Sequence, residues 1–233
     1  MTVEPSPLTV AVPVYNERAT VVQLLDRVLA APPADKQIIV VDDGSTDGTG
    51  ELLDAFVAGH PEILFLRHER NRGKGAAIHT AIARAAGRFT IVQDADLEYD
   101  PAEYAKLLAA AEREGRRVVY GSRILGHSRP SHWRYYLGGR LVSWVASLLY
   151  WARITDEPTC YKLIETDLLR SLPLREEGFG FCPEVTALVR KRGERILEIP
   201  ISYAPRRISE GKKIRWHDGL EALWILLKHR FRR

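Results

Sequence analysis

The stretch FTIVQDADLEYDP, residues 89–101, joins a short apolar and β-branched run to a dense group of acids. The carboxylates of Asp94, Asp96, Glu98 and Asp100 stand at every second position directly after that run. Side chains alternate between the two faces of an extended chain, so these carboxylates are expected to point the same way. Because like charges repel when they are brought together, the pattern predicts a buried strand that ends at a cation site.

The first three of these acids form the predicted metal site. A hard divalent cation such as Mg²⁺ or Mn²⁺ takes one or two protein carboxylates and completes its shell with water and phosphate oxygens. We expect Asp94 and Asp96 to bind the ion, with Glu98 as a third ligand. Asp100 precedes Pro101 and a helical pattern, so it is expected to cap that helix.

On both sides of this stretch, strand patterns alternate with helix patterns. The repeat predicts an α/β fold with a mainly parallel, Rossmann-like central sheet flanked by helices. Ligands of such sheets bind beyond the carboxyl ends of the strands. Besides 89–93, the predicted strands are 8–12, 37–41, 63–67 and 118–122, and the predicted helices are 20–30, 49–59, 74–87 and 101–115.

Polar residues follow the first two predicted strands, where such a sheet binds its ligands. Tyr15 and Glu17 follow the first strand, and Asp42 and Asp43 follow the second. Asp43 is the expected ligand of a nucleoside's ribose or base, as acids are at this place in dinucleotide folds, whereas Asp42 equally fits a turn. The sequence contains no GxGxxG or GxxxxGK[ST] motif, which argues against a nicotinamide enzyme and a P-loop NTPase.

Basic residues in two further places are candidates for a diphosphate site. Arg123 follows the predicted strand at 118–122, and Arg206 and Lys212 lie in the loop sequence PRRISEGKK at 205–213. Arginine and lysine side chains both bind phosphate oxygens. An ordinary surface charge stays the alternative for each of them.

The composition indicates one soluble domain with a sizeable core. The chain has 233 residues, of which 45% are hydrophobic and 27% charged. Cys160 and Cys182 are too few for a disulfide framework, so a reducing compartment is expected. No secretory signal pattern opens the sequence. The longest apolar tract, 141–152, is too short to span a bilayer and predicts a buried or interfacial helix.

Positive charge is concentrated at the end of the chain. From residue 205 onward, nine basic residues oppose three acidic ones, a net of +6, whereas the whole chain carries +4. This tail suits an anionic partner such as a phosphorylated substrate, a nucleic acid or a membrane surface. A solvated helix end is the alternative.

The order of five short motifs resembles that of the family 2 glycosyltransferases of GT-A fold. Within them, the chain is similar to the dolichyl- and polyprenyl-phosphate mannosyl- and glucosyltransferases. The resemblance implies a GT-A domain at 1–203, followed at 204–233 by a basic loop and an amphipathic helix. The motifs are PVYNE (13–17), VDDGSTDGT (41–49), RNRGKGAA (70–77), DADLEYDP (94–101) and GSR (121–123).

Matched motif by motif, the resemblance implies three groups of site residues. Asp94, Asp96 and Glu98 are the implied metal ligands, although relatives often carry Gln, Ser or Asn where this chain has Glu98. Asp96, Arg123 and Asp156 are the implied catalytic residues. Asp156 is included because it lies in RITDEPTCYK, where relatives have an acidic position. The implied donor-binding residues are Pro13, Tyr15, Glu17, Val41, Asp43, Asp94, Ala95, Arg123, Arg206 and Lys212.

These roles imply an inverting, metal-dependent transfer of a hexose from a nucleotide sugar, GDP-mannose or UDP-glucose, to polyprenyl phosphate. A phosphate monoester has a second pKa of about 6 and is already a nucleophile at neutral pH, so no strong base is required. The expected location is cytoplasmic and peripheral, at the inner face of the cell membrane. No nucleic acid partner is expected.

The predicted C-terminal helix supports that location. Leu220, Leu223, Trp224 and Leu227 share one face beside a basic end, which is typical of an interfacial helix on anionic lipid. A helix that packs into the core is the alternative.

Two other functions stay open at this point. One is a soluble family 2 glycosyltransferase that acts on a sugar or small hydroxyl acceptor, which needs a carboxylate base such as Asp156. The other is a protein without catalysis that binds a nucleotide sugar or nucleic acid, which the basic tail suggests.

Overall fold

The computed structural model describes residues 6–127, 133–206 and 216–232. Strands and helices alternate along most of the described chain. The strands are β1 (Leu8–Val14), β2 (Lys36–Asp42), β3 (Ile63–Arg67), β4 (Phe89–Val92), β5 (Val118–Ser122), β6 (Lys162–Glu165) and β7 (Ile196–Pro200). The helices are α1 (Val21–Ala30), α2 (Thr49–Ala58), α3 (Lys74–Ile82), α4 (Tyr104–Arg113), α5 (Trp133–Leu149), α6 (Thr166–Ser171), α7 (Phe181–Lys191) and α8 (Trp216–Phe231).

The described strands form one sheet in the order β3-β2-β1-β4-β6-β5-β7. β1 lies between β2 and β4 and is parallel to both, and β3 and β7 extend the sheet as parallel neighbours of β2 and β5. β6 alone runs antiparallel, inserted between β4 and β5. The prediction of an α/β fold with a mainly parallel sheet is therefore confirmed.

Both faces of the sheet are covered, which explains why its strands read as continuous apolar runs. On β1, Val10 and Val12 pack into the large core cluster, whereas Ala11 points to the other face. There it packs with Ala77 and Ala81 of α3. Small side chains on α3 allow this helix to lie close to the central strands.

Two of the four predicted helices differ from the observed ones by more than one residue at an end. The helix predicted at 74–87 ends at Ile82, because the Ala86 N–H donates to the Gln37 side chain at 2.7 Å and the Gly87 N–H donates to Thr9 Oγ1 at 2.8 Å. The helix predicted at 101–115 begins as a 3-10 turn at Pro101–Glu103. There the Asp100 side chain accepts the Ala102 N–H at 3.0 Å, the cap that the sequence predicts.

α5 and α8 lie side by side and pack on α7. Val142 and Ala146 of α5 and Leu226 of α8 belong to one buried cluster, and the Tyr150 hydroxyl donates to the Leu226 carbonyl at 2.7 Å. The tract 141–152 is thus buried on one side of its helix and exposed on the other. None of the helices in the described ranges has the length and apolar character that crossing a membrane requires.

Candidate active site

The predicted site residues gather where β1, β2 and β4 end. Val14 at the end of β1 pairs with Asp42 of β2, and Ala11 pairs with Val92, the last residue of β4. Because the three strands are parallel, their carboxyl ends open on the same edge of the sheet. The acids that follow β2 and β4 therefore lie along one crevice, as the strand pattern predicts.

The two acids at the end of β2 have different partners. The buried Asp42 carboxylate accepts the Ser45 N–H at 3.0 Å and so supports the following turn, one of its two predicted roles. Asp43 is also buried, and its two oxygens accept the backbone N–H groups of Arg72 at 3.0 Å and Gly73 at 2.8 Å. Asp43 thus fixes the turn that begins α3.

That turn is packed closely against a distant loop. Gly73 has a φ of 103°, a conformation that L side chains rarely adopt. A Cβ on Gly75 would lie 2.2 Å from the carbonyl oxygen of Glu176. The Ala76 N–H donates to the carbonyl of Glu177 at 3.0 Å. The turn after β3 and the 176–177 loop therefore hold each other in place.

The acids after β4 are contacted by two basic side chains from distant parts of the chain. Lys74 Nζ lies 2.6 Å from Asp94 Oδ1, and Arg206 Nη2 lies 3.0 Å from Asp96 Oδ2. Arg206 also reaches Glu17, with 3.2 Å between Nη1 and Oε2. The structure thus brings together Glu17, Asp94, Asp96 and Arg206, four of the predicted site residues.

Acids outnumber the basic side chains that the described part of the chain brings to this cluster. Four carboxylates, those of Glu17, Asp94, Asp96 and Glu98, lie around Lys74 and Arg206. Burial first, and then the charges of Asp94 and Glu98, raise the pKa of Asp96 to about 7. Carboxylate oxygens grouped in this way are the kind of ligand that Mg²⁺ and Mn²⁺ prefer.

Glu98 faces a different neighbour from the two aspartates. Its carboxylate accepts the Tyr203 hydroxyl and, at 2.8 Å, the Arg206 N–H, while its carbonyl accepts the Ala204 N–H at 2.9 Å. These three bonds fix the 203–206 segment beside the acid cluster. Glu98 therefore positions the backbone that carries Arg206, and its predicted role as a metal ligand stays a prediction.

Arg123 and Asp156 form a buried ion pair at the end of β5. The Arg123 guanidinium donates to both Asp156 oxygens, at 2.7 and 2.8 Å, and the Arg123 N–H donates to Oδ2 at 2.8 Å. Burial favours the neutral acid, but the charge and hydrogen bonds of Arg123 outweigh it and lower the pKa of Asp156. A carboxylate held in this way is a poor proton acceptor at neutral pH.

Two further contacts orient this pair. The Glu198 carboxylate accepts the backbone N–H groups of Thr155 at 2.7 Å and Asp156 at 3.0 Å, which fixes the loop that presents Asp156. The Arg123 guanidinium lies 5.0 Å from the centroid of the Tyr203 ring, within the range of a cation–π contact. Tyr203 therefore connects the Arg123 side of the crevice with Glu98.

The remaining predicted donor-binding residues line the ends of β1, β2 and β4. Val41 and Ala95 are buried, whereas Pro13 and Tyr15 are half-buried. Lys212 lies outside the described residues.

Several residues of the crevice have no counterpart in the predicted site. His68 follows β3, and its Nδ1 lies 2.7 Å from Asp43 Oδ1, so the rule that ligands follow parallel strands could have identified it. Lys74 stands between two glycines in a stretch where a helix start is an equally good interpretation. Tyr203 and Glu198 act over long sequence separations, and no local pattern marks them.

Known proteins resemble the chain over most of its length. The model of the family described as "Glycosyl transferase family 2" matches residues 9–167. The undecaprenyl-phosphate mannosyltransferase of Micrococcus luteus is 29% identical over 94% of this chain and 96% of its own length. The polyprenol monophosphomannose synthase of Mycolicibacterium smegmatis is 29% identical over 91% of this chain and 83% of its own.

Two solved structures share the fold. Glucosyl-3-phosphoglycerate synthase of Mycobacterium tuberculosis, in complex with Mn²⁺, UDP and phosphoglyceric acid, has a TM-score of 0.68 at 21% identity, over 97% of this chain and 79% of that chain. The mannosyltransferase PcManGT of Pyrobaculum calidifontis, in complex with GDP-Man and Mn²⁺, has a TM-score of 0.64 at 21% identity, over 99% of this chain and 71% of that chain.

Proposed function

Because the chain belongs to glycosyl transferase family 2, we propose that this GT-A glycosyltransferase moves a hexose from a nucleotide sugar to polyprenyl phosphate. The observation that carries the proposal is the acid cluster after β4, in which the carboxylates of Glu17, Asp94, Asp96 and Glu98 gather around Lys74 and Arg206. Its carboxylates suit a divalent ion, and its two basic side chains suit a diphosphate. The names of the two relatives above favour mannose as the sugar and a polyprenyl phosphate as the acceptor.

The donor is proposed to bind along the ends of β1, β2 and β4. Pro13, Tyr15, Glu17, Val41 and Asp43 surround the nucleoside in this arrangement, and the segment at 94–95 extends the contact. The base is guanine or uracil, in GDP-mannose or UDP-glucose. The rigid turn that Asp43 holds supports a fixed position for the nucleoside.

Asp94 and Asp96 would hold Mg²⁺ or Mn²⁺, with Glu98 as the third predicted ligand. The ion, when bound, offsets charge that develops on the departing nucleoside diphosphate. Lys74 and Arg206 contact these acids in the structure. We propose that both side chains turn to the diphosphate oxygens when the donor binds, and that Lys212 adds a further contact from the basic loop.

The acceptor phosphate is proposed to bind at Arg123. Asp156 and Tyr203 contact its guanidinium, and Glu198 fixes the loop that carries Asp156, so little conformational entropy is lost when the Arg123 side chain meets a phosphate. An ionised phosphate oxygen attacks the anomeric carbon, and the bond to the diphosphate breaks on the opposite face, which inverts the configuration. Asp156 positions Arg123 in this scheme and takes no proton.

The same proposal gives the chain a place at a membrane surface. Polyprenyl phosphate is a membrane lipid, so a chain that uses it acts at the bilayer, and we place this chain peripherally at the inner face. Residues 1–203 are proposed as the catalytic domain, to which 204–233 add the basic loop and the C-terminal helix.

The direct experiment offers the protein Mg²⁺ or Mn²⁺, a short-chain polyprenyl phosphate and one of three donors: GDP-mannose, UDP-glucose or UDP-N-acetylglucosamine. Mass spectrometry of the organic phase is expected to show a glycosyl phosphoprenol with one donor, and none without the ion. If a donor binds but none of the three donors yields a glycolipid, polyprenyl phosphate is not the acceptor. A product formed on a simple sugar offered in its place would favour the soluble glycosyltransferase.

A further inference from the structure

Exposed apolar side chains are concentrated on one pair of helices. Thirteen large hydrophobic residues are exposed in the described chain, and all but Leu125 and Phe179 lie on α5, on α8 or at residue 151. The most exposed are Trp144 at 63%, Trp151 at 84%, Trp224 at 66% and Phe231 at 76%. Isolated exposed apolar residues are common, but a grouping of this size on a soluble domain marks an interaction surface.

The spacing of these residues shows that each helix presents one continuous stripe. Exposed apolar side chains recur at every third or fourth position, at 137, 141, 144 and 148 on α5 and at 220, 224, 227 and 231 on α8. Positions three and four apart share a helix face. The buried side chains Val142, Ala146 and Leu226 occupy the opposite faces. The stripes therefore point away from the protein core.

The two stripes belong to one surface, because the helices that carry them are neighbours. Tyr150 and Leu226 join α5 to α8 by a hydrogen bond, and the inner sides of both helices share a buried cluster. α8 is also tied to the body of the protein, with 2.8 Å between Lys228 Nζ and Glu176 Oε1. We refer to the two exposed stripes together as the α5/α8 face.

Most charges around the α5/α8 face are positive. The sequence from 133 to 153 contains three arginines and no acid. α8 begins with the acids Asp218 and Glu221, but Lys228 and Arg230 lie in its last turns and Arg232 follows it. Tryptophan and arginine or lysine together are typical of helices that lie in the headgroup region of a bilayer. An anionic lipid surface complements both properties, since it offers apolar chains beneath negatively charged headgroups.

The α5/α8 face also lies close to the acceptor side of the crevice. Arg140 Nη1 on α5 is 3.4 Å from the Thr155 carbonyl, next to Asp156, the partner of Arg123. A surface contact along α5 therefore brings Arg123 near the lipid headgroups. This orientation rests on the proposed function, in which Arg123 receives the phosphate of a membrane lipid.

We infer that the α5/α8 face docks on an anionic membrane surface, with its tryptophans in the headgroup region and its basic residues on the lipid phosphates. Both helices form the contact, which favours the interfacial of the two interpretations that the sequence allows for the tract 141–152. In this orientation the crevice at Arg123 opens beside the headgroups.

The test is flotation of the full chain with vesicles of phosphatidylcholine alone or mixed with phosphatidylglycerol, with no donor or acceptor present. The wild type is expected to float with the anionic vesicles, less so at high salt, and with a blue shift of tryptophan fluorescence. Trp144→Ser together with Trp224→Ser is expected to weaken binding about 100-fold, since each buried aromatic side chain is worth about tenfold. Leu125→Ser, outside the α5/α8 face, serves as the matched control and keeps wild-type binding.

A second pair, Leu220→Ser with Phe231→Ser, keeps the test valid if the tryptophan pair unfolds. Equal flotation of wild type and both pairs, or no flotation of the wild type, would overturn the inference. So would a wild-type dimer in light scattering that the substitutions dissociate, because the surface would then join two copies of the chain. These measurements use no substrate. Failure of the wild type to transfer a sugar to a short-chain acceptor would therefore count against the proposed function alone.

Discussion

Two aspartates near the crevice, the half-buried Asp96 after β4 and the buried Asp156 before β6, have pKa values shifted in opposite directions. Asp96 shares the Arg206 guanidinium with two other carboxylates, and its pKa rises to about 7. Asp156 has both guanidinium contacts of Arg123 as well as its N–H, and its pKa is lowered. An aspartate whose guanidinium is shared thus keeps a raised pKa after burial, whereas one that binds a whole guanidinium stays ionised and acts as a rigid support.

The largest expected effect comes from removing the charge of Asp96 in the acid cluster after β4. Asp96→Asn is expected to lower the transfer rate at least about 100-fold, because charge on the diphosphate is then poorly offset. Titration calorimetry with Mn²⁺ and a nucleoside diphosphate is expected to show weaker binding of the ion. Asp100→Asn, which alters a helix cap and no proposed ligand, is the matched control. Wild-type Mn²⁺ affinity in the Asp96 variant would show that the ion binds elsewhere.

The next largest effect is a loss of stability when the Arg123–Asp156 ion pair is broken. Asp156→Asn is expected to lower the free energy of unfolding by about 2–3 kcal/mol, somewhat less than the about 3–5 kcal/mol for breaking a fully buried pair, because the Arg123 side chain is 21% exposed. Urea denaturation measures the change. Glu114→Gln breaks the exposed pair with Arg113 and is expected to cost at most about 1 kcal/mol. Equal losses in the two variants would contradict the distinction.

Acidification should remove the same contribution without a substitution. The pKa of Asp156 is lower in the folded than in the unfolded chain, so its stabilising effect is complete above the unfolded pKa of about 4. It is lost as the pH falls through the folded value. The difference in unfolding free energy between wild type and Asp156→Asn should be constant near neutral pH and shrink in strong acid. A difference that grows on acidification would mean that the carboxylate is not held by Arg123.

The smallest expected effect tests whether Glu98 binds the metal ion or only positions the 203–206 segment. Glutamine at 98 keeps one acceptor for Tyr203 or Arg206, so Glu98→Gln should cost about 1 kcal/mol of stability or less. If Glu98 mainly positions the 203–206 segment, the Mn²⁺ affinity should change less than about threefold. A loss of tenfold or more would instead identify Glu98 as a metal ligand. Asp94→Asn provides the reference for loss of a ligand.

The βα half of the fold could be predicted because local patterns report burial there. β3 and β5 have their predicted bounds, since each begins with a short run of apolar residues that polar residues flank. The helix predicted to reach residue 87 ends at Ile82, because Gln37 and Thr9 bind the backbone beyond it. Such contacts depend on the tertiary fold and cannot be predicted from helical periodicity.

The crevice shows the same division. Asp43, Asp94 and Asp96 could be placed at one edge because each follows a parallel strand. The partners of these acids could not be assigned, because Arg206 lies 110 residues from Asp96 along the chain. Asp156 could be identified as an acid of interest, but only the fold shows that it binds Arg123.

The close packing of Gly75 against Glu176 has a practical consequence for anyone who shortens the chain. Glu176 pairs with Lys228 of α8, and a Cβ on the nearby Gly180 would lie 2.4 Å from Ile225 of the same helix. The C-terminal helix thus supports the 176–177 loop, against which the turn at Gly73 and Gly75 packs. A truncation after residue 203 would remove that support, so the smallest useful enzyme for engineering extends through α8.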